Sequence, residues 1–290
     1  MIKDMDLLQE YLRFSNPHIQ FRGNLTTTGE TVYGGFARHS KVSLCPVGIT
    51  EEDIKNNLEH LIAVTAKGKV HLYAVAPDTL SLHTNLIDRN GVEVYTGDTV
   101  KYKDKEYWIE FSLGAFYLAG GSRRIPLYML SSHDVQVLTD RPVKAGCVDL
   151  QSFEIKAQVL EMKRWVRGGF SYNIDNQRLD TLITDGLSDW NLPVQIRAMK
   201  IREATYCFGF GVVDEAGVQA YTGDILEFTG DVAVDDFVNI KAGQRGVMLM
   251  AHGGIHVICG GNMIAIQDLL SDNKIKRAKV VNNVFEVALQ

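Results

Sequence analysis

The chain has 290 residues, 46% hydrophobic and 22% charged, with a formal net charge of −5. That composition excludes a disordered chain and a polycation built to coat phosphate backbone, and the length suits two domains of roughly 100–150 residues each. Cys45, Cys147, Cys207 and Cys259 lie far apart with no Cys-x-x-Cys pair, which excludes a disulfide framework or a zinc-knuckle pattern and reads as isolated thiols in a reducing compartment.

The N-terminal residues are charged from the start, without an apolar signal core, and no apolar run approaches membrane-spanning length; the expectation is a cytoplasmic protein with no membrane partner. In chain order, Asp6 to Phe14 reads as a short helix within an N-terminal segment, 1–18. Thr50-Glu-Glu-Asp53 is a helix start, a hydroxyl cap ahead of acidic first-turn residues and an apolar stripe of Ile54, Leu58, Leu61 and Ile62. Asn90-Gly91, between Leu86-Ile87 and the alternating Val92 and Val94, is a hairpin turn, because both central residues take positive φ. Tyr95-Thr-Gly-Asp98 makes a second turn, its glycine relieving the backbone and its aspartate bonding a nearby amide. Thr99 to Lys103 and Tyr107 to Phe111 then alternate around a Lys-Asp-Lys turn. Asp180 to Leu187 and Met263 to Leu270 read as further short helices.

Much of this recurs. LIDRNGVEVYTGDTV (86–100) matches VVDEAGVQAYTGDIL (212–226), TVYGGF (31–36) matches WVRGGF (165–170), and EFSLGAFYLAGG (110–121) matches MAHGGIHVICGG (250–261). The order of the blocks is kept while the spacing drifts, as in a duplicated fold with variable loops. The drift places extra residues in the second copy around GDVAVDDFVNIKAGQ (230–244). Short strands with turns at this rhythm predict a mainly β (α+β) chain. Its expected organisation is two tandem small SH3-like β-barrels, 19–145 and 150–290, with a few short helices.

The order Ile19-Gln-Phe-Arg-Gly23, Val32-Tyr-Gly34, Pro77-Asp-Thr79, Asp88-Arg-Asn-Gly91 and Tyr95-Thr-Gly-Asp98 resembles the YopX-like proteins of phages and prophages. Those have the general form Phe-Arg-x, Trp-Val-Tyr-Gly, Pro-x-Thr, Asp-x-Asn-Gly, Tyr-x-Gly-Asp, then a Gly-rich strand pair. The resemblance covers about 19–140 well and 153–290 more loosely. The second copy lacks Phe-Arg-Gly, carries Arg167 in place of the Tyr, and loses the Asn of Asn-Gly. A linked pair also differs from the single-copy members. The resemblance implies a phage or prophage origin, a small β-barrel core, oligomerisation and a location in the cytoplasm of the infected or lysogenic bacterium; it implies no reaction.

Each candidate residue has a plain structural role beside a functional one. Tyr95 and Tyr221 recur, as hairpin packing or as a ligand-stacking pair. Asp98 and Asp224 recur as turn acceptors rather than paired acids. Lys101, Lys103 and Lys105 would line one strand face near Arg123 and Arg124, the best nucleic-acid hint in the chain, or a lysine-protected edge. Their counterparts Glu227, Thr229 and Asp231 are not basic. His252-Gly-Gly-Ile-His256 has the spacing of a helical metal pair, but on a strand residues four apart lie ~13 Å apart, beyond one ion. The insertion offers Asp231, Asp235, Asp236 and Phe237, an acidic loop with an aromatic in it, suited to docking on a basic protein surface.

No Gly-x-Ser-x-Gly, Walker lysine or His-Glu-x-x-His is present, so neither catalysis, cofactor nor metal is expected. The leading expectation is an oligomeric, non-enzymatic binding protein acting on a host protein, inhibition of antiviral defence being one version. Its rivals are a small-molecule or nucleotide sponge and a nucleic-acid-binding accessory protein.

Overall fold

A computed structural model describes residues 2–14, 19–40, 58–112, 114–121, 124–131, 133–139, 141–148, 150, 153–160, 164–176, 178–186, 195–202, 205–251 and 253–287. The protein is mainly β. Among the described residues the α-helices are Ile2–Phe14, Ile266–Leu270 and Val284–Val287. The first buries Leu7, Leu8 and Tyr11 while Leu12 faces out, and Tyr11 meets Phe285 edge to face at 5.4 Å.

The chain divides into two compact units. The larger comprises Met1–Pro17, Thr84–Phe153 and Cys207–Gln290; the smaller comprises His18–His83 and Glu154–Tyr206. The repeat boundaries 19–145 and 150–290 run across these units. Each sequence copy gives its front to the smaller unit and its back to the larger.

In the smaller unit, strand Thr31–Ser40 pairs antiparallel with Phe21–Asn24 and with Leu58–Ala66. Its counterpart Arg164–Asn173 pairs with Phe153–Val159 and Arg178–Gly186. The two meanders join where Tyr172 and Asn173 run parallel to Val64 and Thr65. There the Thr65 and Ser171 hydroxyls share a buried hydrogen bond of 2.8 Å.

The repeated Gly-Gly-Phe is a crossing point. A Cβ on Gly35 would stand 2.1 Å from the Phe170 carbonyl oxygen, and one on Gly169 would stand 2.5 Å from the Phe36 carbonyl oxygen. The two approaches are reciprocal, as a pseudo-two-fold relation between the copies requires. Only glycine permits backbone so close. The two phenylalanines that follow are buried, and Phe21 packs on both, at 5.1 Å from Phe36 and 6.2 Å from Phe170.

The larger unit carries a ten-stranded ladder. Gln136–Val137, Thr99–Tyr102, Lys105–Ser112 and Ala115–Ala119 lead to its centre, and Gly254–Cys259, Arg245–Ala251, Asp224–Phe228 and Ala278–Asn283 lead away. The second set mirrors the first, and the copies meet at the pair Ala115↔Gly254. This ladder is linear, with the short strands Ile125–Pro126 and Asn262–Ala265 pairing off it. Among the described residues the pairing forms open sheets and not the expected closed barrels.

Two expected helices are corrected over their described residues, and a third is shortened. Leu58, Leu61 and Ile62 lie in the strand Leu58–Ala66, while Thr50 to Ile54 fall outside the described residues. The run Leu61-Ile62-Ala63 is buried throughout, its central residue completely; a strand covered on both faces has a continuous apolar run and loses the alternation that distinguishes it from a helix. Asp180 to Gly186 likewise belong to the strand Arg178–Gly186, and Leu187 lies outside the described residues. Met263 to Leu270 splits into the strand Asn262–Ala265 and the short helix Ile266–Leu270.

Candidate functional site

The repeated turns are built alike and are structural. Asp88 Oδ1 accepts the Asn90 and Val92 amides at 2.8 and 2.9 Å, and Oδ2 accepts the Val137 amide at 2.9 Å. Asp214 Oδ1 accepts the Ala216 and Val218 amides at 2.8 Å each, and Oδ2 accepts the Val280 amide at 3.0 Å. Each carboxylate therefore closes its hairpin and pins it to a strand far along the chain. Burial would push the Asp88 carboxyl up, but the amide hydrogen bonds from Val92, Val137 and Asn90 outweigh it and hold it below its ordinary value. One turn later, Tyr95 N–H donates to Asp98 Oδ2 at 2.9 Å and Tyr221 N–H to Asp224 Oδ2 at 2.8 Å, the turn-acceptor role expected of both aspartates.

Tyr95 and Tyr221 are each 1% exposed. A ring packed on both faces offers a ligand nothing to stack on, so the stacking role is corrected to core packing, with Tyr95 Oη donating to Glu93 Oε2 at 2.9 Å. Burying such a side chain contributes roughly 2–3 kcal/mol.

The lysine stripe is also corrected. Lys101 pairs with Glu106 and Tyr102 with Lys105, and since paired residues share a face while neighbours alternate, Lys101 and Lys105 point to opposite faces. Lys103 sits in the turn itself, with φ 46°, beside Asp104 at φ 62°. Lys101 Nζ lies 3.0 Å from the Asp104 carboxylate, and Arg124 is 2.7 Å from Glu110. Arg123 lies outside the described residues.

The insertion forms a hairpin whose strands Val232–Ala233 and Asn239–Ile240 pair as Val232↔Ile240 and Ala233↔Asn239. Val232 and Ile240 are 1% and 2% exposed, so the base is part of the core, whereas Phe237 at the tip is 95% exposed. Further bonds fix the base: Arg277 donates to the Asp231 carbonyl at 2.7 Å, and Lys274 to the Val234 carbonyl at 3.4 Å.

The acidic character is narrower than the sequence suggests. The Asp231 carboxylate accepts Lys241 Nζ at 2.9 Å and the Ala242 amide at 3.0 Å, which hold its carboxyl below the ordinary value. Asp235 Oδ1 accepts the Phe237 and Val238 amides, both at 2.7 Å, shaping the tip. Those two acids order the hairpin. What it displays is the Phe237 ring with exposed Asp236 beside it.

Among the described residues no group of three His, Cys, Asp or Glu side chains is placed to hold a metal. His256 lies buried on the strand Gly254–Cys259, its Nδ1 3.2 Å from the Gly254 carbonyl; His252 and Cys45 lie outside the described residues. Cys147, Cys207 and Cys259 are buried thiols, and burial, with a smaller contribution from Glu10, pushes Cys259 up to about 11, far from a nucleophile's range. Among the described residues no helix is long and apolar enough to cross a membrane. No family model, curated protein or solved structure matches the chain.

A second feature was missed in the sequence. The larger unit has a cleft of about 280 Å³ lined by Thr84, Asn85, Leu86, Leu127, Tyr128, Leu130 and Gly253. Its residues come from three separated segments, and the visible signal would have been that both Asn85 and Tyr128 depart from their partners in the other copy.

Proposed function

We propose that the chain is a non-enzymatic binding protein of phage or prophage origin that engages a host protein through the 231–241 hairpin. The observation that carries this reading is Phe237, 95% exposed on a hairpin whose base is anchored in the core. A large aromatic ring held out on a fixed support loses little conformational freedom on docking and is the residue type that dominates binding energy. The hairpin belongs to one copy only, as a recognition element added to a symmetric frame would. The phage origin and oligomerisation rest on the YopX resemblance, and the host-defence target on that resemblance together with the lack of a catalytic motif, the duplication and the acidic insertion. The nucleic-acid alternative is weakened by the division of Lys101 and Lys105 between faces and by the ion pairs at Lys101 and Arg124.

The test compares tagged full-length protein with its Phe237→Ser variant in bacterial host lysate, followed by gel filtration of the captured complex. The expected result is a stoichiometric protein partner retained by the wild type and lost by the variant. Loss of such an anchor costs about 2 kcal/mol or more, roughly thirtyfold in affinity, while melting stays within ~0.5 kcal/mol because the ring packs on nothing. Absence of any stoichiometric partner, or its full retention by Phe237→Ser, refutes the reading.

A further inference from the structure

The cleft in the larger unit has a counterpart in the other copy, and the two differ in a way that identifies the open one as a site. The hairpin turns Ser112↔Ala115 and Ala251↔Gly254 correspond, and so do the pairs Tyr117↔Pro126 and His256↔Ala265 that follow. The strand pairing thus sets the copies one residue off the sequence match of 110–121 with 250–261, and the helical turns Leu127–Met129 and Ile266–Leu270 match, placing Tyr128 where the other copy has Gln267 and Gly253 where it has Gly114. From the repeated block, Thr84 stands for Phe210 and Asn85 for Gly211. The backbone agrees: Asn85 has φ 63° and Gly211 φ 75°.

One version of the site is filled. A Cβ on Gly114 would lie 2.5 Å from Ile266 Cγ2; Ile266 is fully buried, and Phe210 packs at 4.8 Å on Phe111 and 5.2 Å on Phe153. In the other version a Cβ on Gly253 would meet nothing closer than 3.8 Å, with Leu127 Cβ, the Thr84 carbonyl and the Tyr128 amide around it. Threonine in place of phenylalanine at 84, and Leu127 standing farther back than Ile266, leave the space open.

We infer that this cleft binds a planar, uncharged heteroaromatic ring of nucleobase size. Its 280 Å³ lies just below the ~300–1,000 Å³ of ligand pockets, enough for one ring system. Tyr128 supplies an aromatic ring about one-third exposed, braced edge-on at 6.0 Å by the buried His256; aromatic rings are the side chains on which bases stack. Asn85 lines the same cleft with a side-chain amide, a group of the kind that pairs with base edges. No lining residue is charged, so a phosphate would find no counter-ion among them. Burial first, and the Asp268 carboxylate second, push the Tyr128 hydroxyl up.

The experiment titrates the full-length chain by calorimetry with each of the four common ribonucleosides and, separately, with ribose and inorganic phosphate. At least one nucleoside should saturate at one per chain, and ribose and phosphate should not. Tyr128→Ala should weaken binding about tenfold or more, Tyr128→Phe should retain it, and Asn85→Gly, which installs the other copy's residue on the same backbone, should weaken it several-fold. The inference is overturned if no nucleoside saturates at millimolar concentration, if ribose or phosphate binds as well, or if Tyr128→Ala binds like the wild type. None of these readouts involves Phe237, so the hairpin reading stands or falls separately.

Discussion

Gly35→Ala places a methyl group 2.1 Å from the Phe170 carbonyl oxygen and 2.7 Å from its carbon, where ordinary contact begins at 3.4 Å. The obstacle is backbone held in register by Gly169↔Ile183 and Phe170↔Leu182 on its other side, so it cannot swing away as a side-chain end would. The crossing must open by about 1 Å, and Phe21, Phe36 and Phe170 then lose contact together. Overpacking alone costs 1–3 kcal/mol; with the loosened aromatic cluster we expect about 3 kcal/mol, or roughly 6–12 °C in the melting midpoint. Gly169→Ala should behave similarly, because its methyl meets Phe36 O and Ala37 Cα, both at 2.5 Å. The double variant should cost at least 1 kcal/mol less than the sum, since the second methyl enters a crossing already opened. Gly230→Ala, whose nearest neighbour is Arg277 Cδ at 3.6 Å, is the neutral control. Urea and thermal denaturation measure all four. A Gly35→Ala variant within ~0.5 kcal/mol of wild type, or strict additivity, refutes the reciprocal crossing.

Other consequences are as direct. Asp88→Asn removes the acceptor of the Val137 amide and should cost ~1–3 kcal/mol. Because the folded carboxyl titrates below its ordinary value, its contribution is complete above the unfolded value of ~3.9 and is lost as pH falls through the lower folded one. Melts between pH 5 and 2 should therefore fall less steeply for Asp88→Asn than for wild type, and equal slopes would count against the role. Cys259, pushed to about 11 by burial, should alkylate at pH 8 at least ~100-fold more slowly in native protein than in denaturant; mass-spectrometric mapping of the modified peptides decides this.

The strand-rich class, the N-terminal helix and the paired turns were legible because each is written locally. Gly91 and the Thr-Gly-Asp turns carry their own backbone requirements, and Leu7, Leu8 and Tyr11 share a helical face. Of the Asn90-Gly91 pair, however, only Gly91 takes positive φ, because the turn closes from the Gly91 amide to the Asp88 carbonyl and so centres on Arg89 and Asn90. The insertion at 230–244 was legible as a difference between copies. The exchange of halves between the copies was not, since pairings such as Val64 with Tyr172 or Ala115 with Gly254 leave no periodicity in either segment. Buried tyrosines at 95 and 221 look the same in sequence as exposed ones, and a lysine stripe of period two was broken by a two-residue turn in its middle. The cleft joins residues 84–86, 127–130 and 253, a conjunction that only the folded ladder creates.

The mirrored ladder has a consequence for synthesis. When residue 83 has left the ribosome, the strand Leu58–Ala66 still lacks Tyr172 and Asn173, and the strand Ala115–Ala119 later waits for Gly254. At 5–20 residues per second, the intervening 100 or so residues take roughly 5–20 s. During that interval the nascent first copy exposes strand edges shaped to receive a partner of its own kind, and neighbouring chains on one message could supply it. The linkage of two copies in one polypeptide answers that hazard by making the right partner the nearest one.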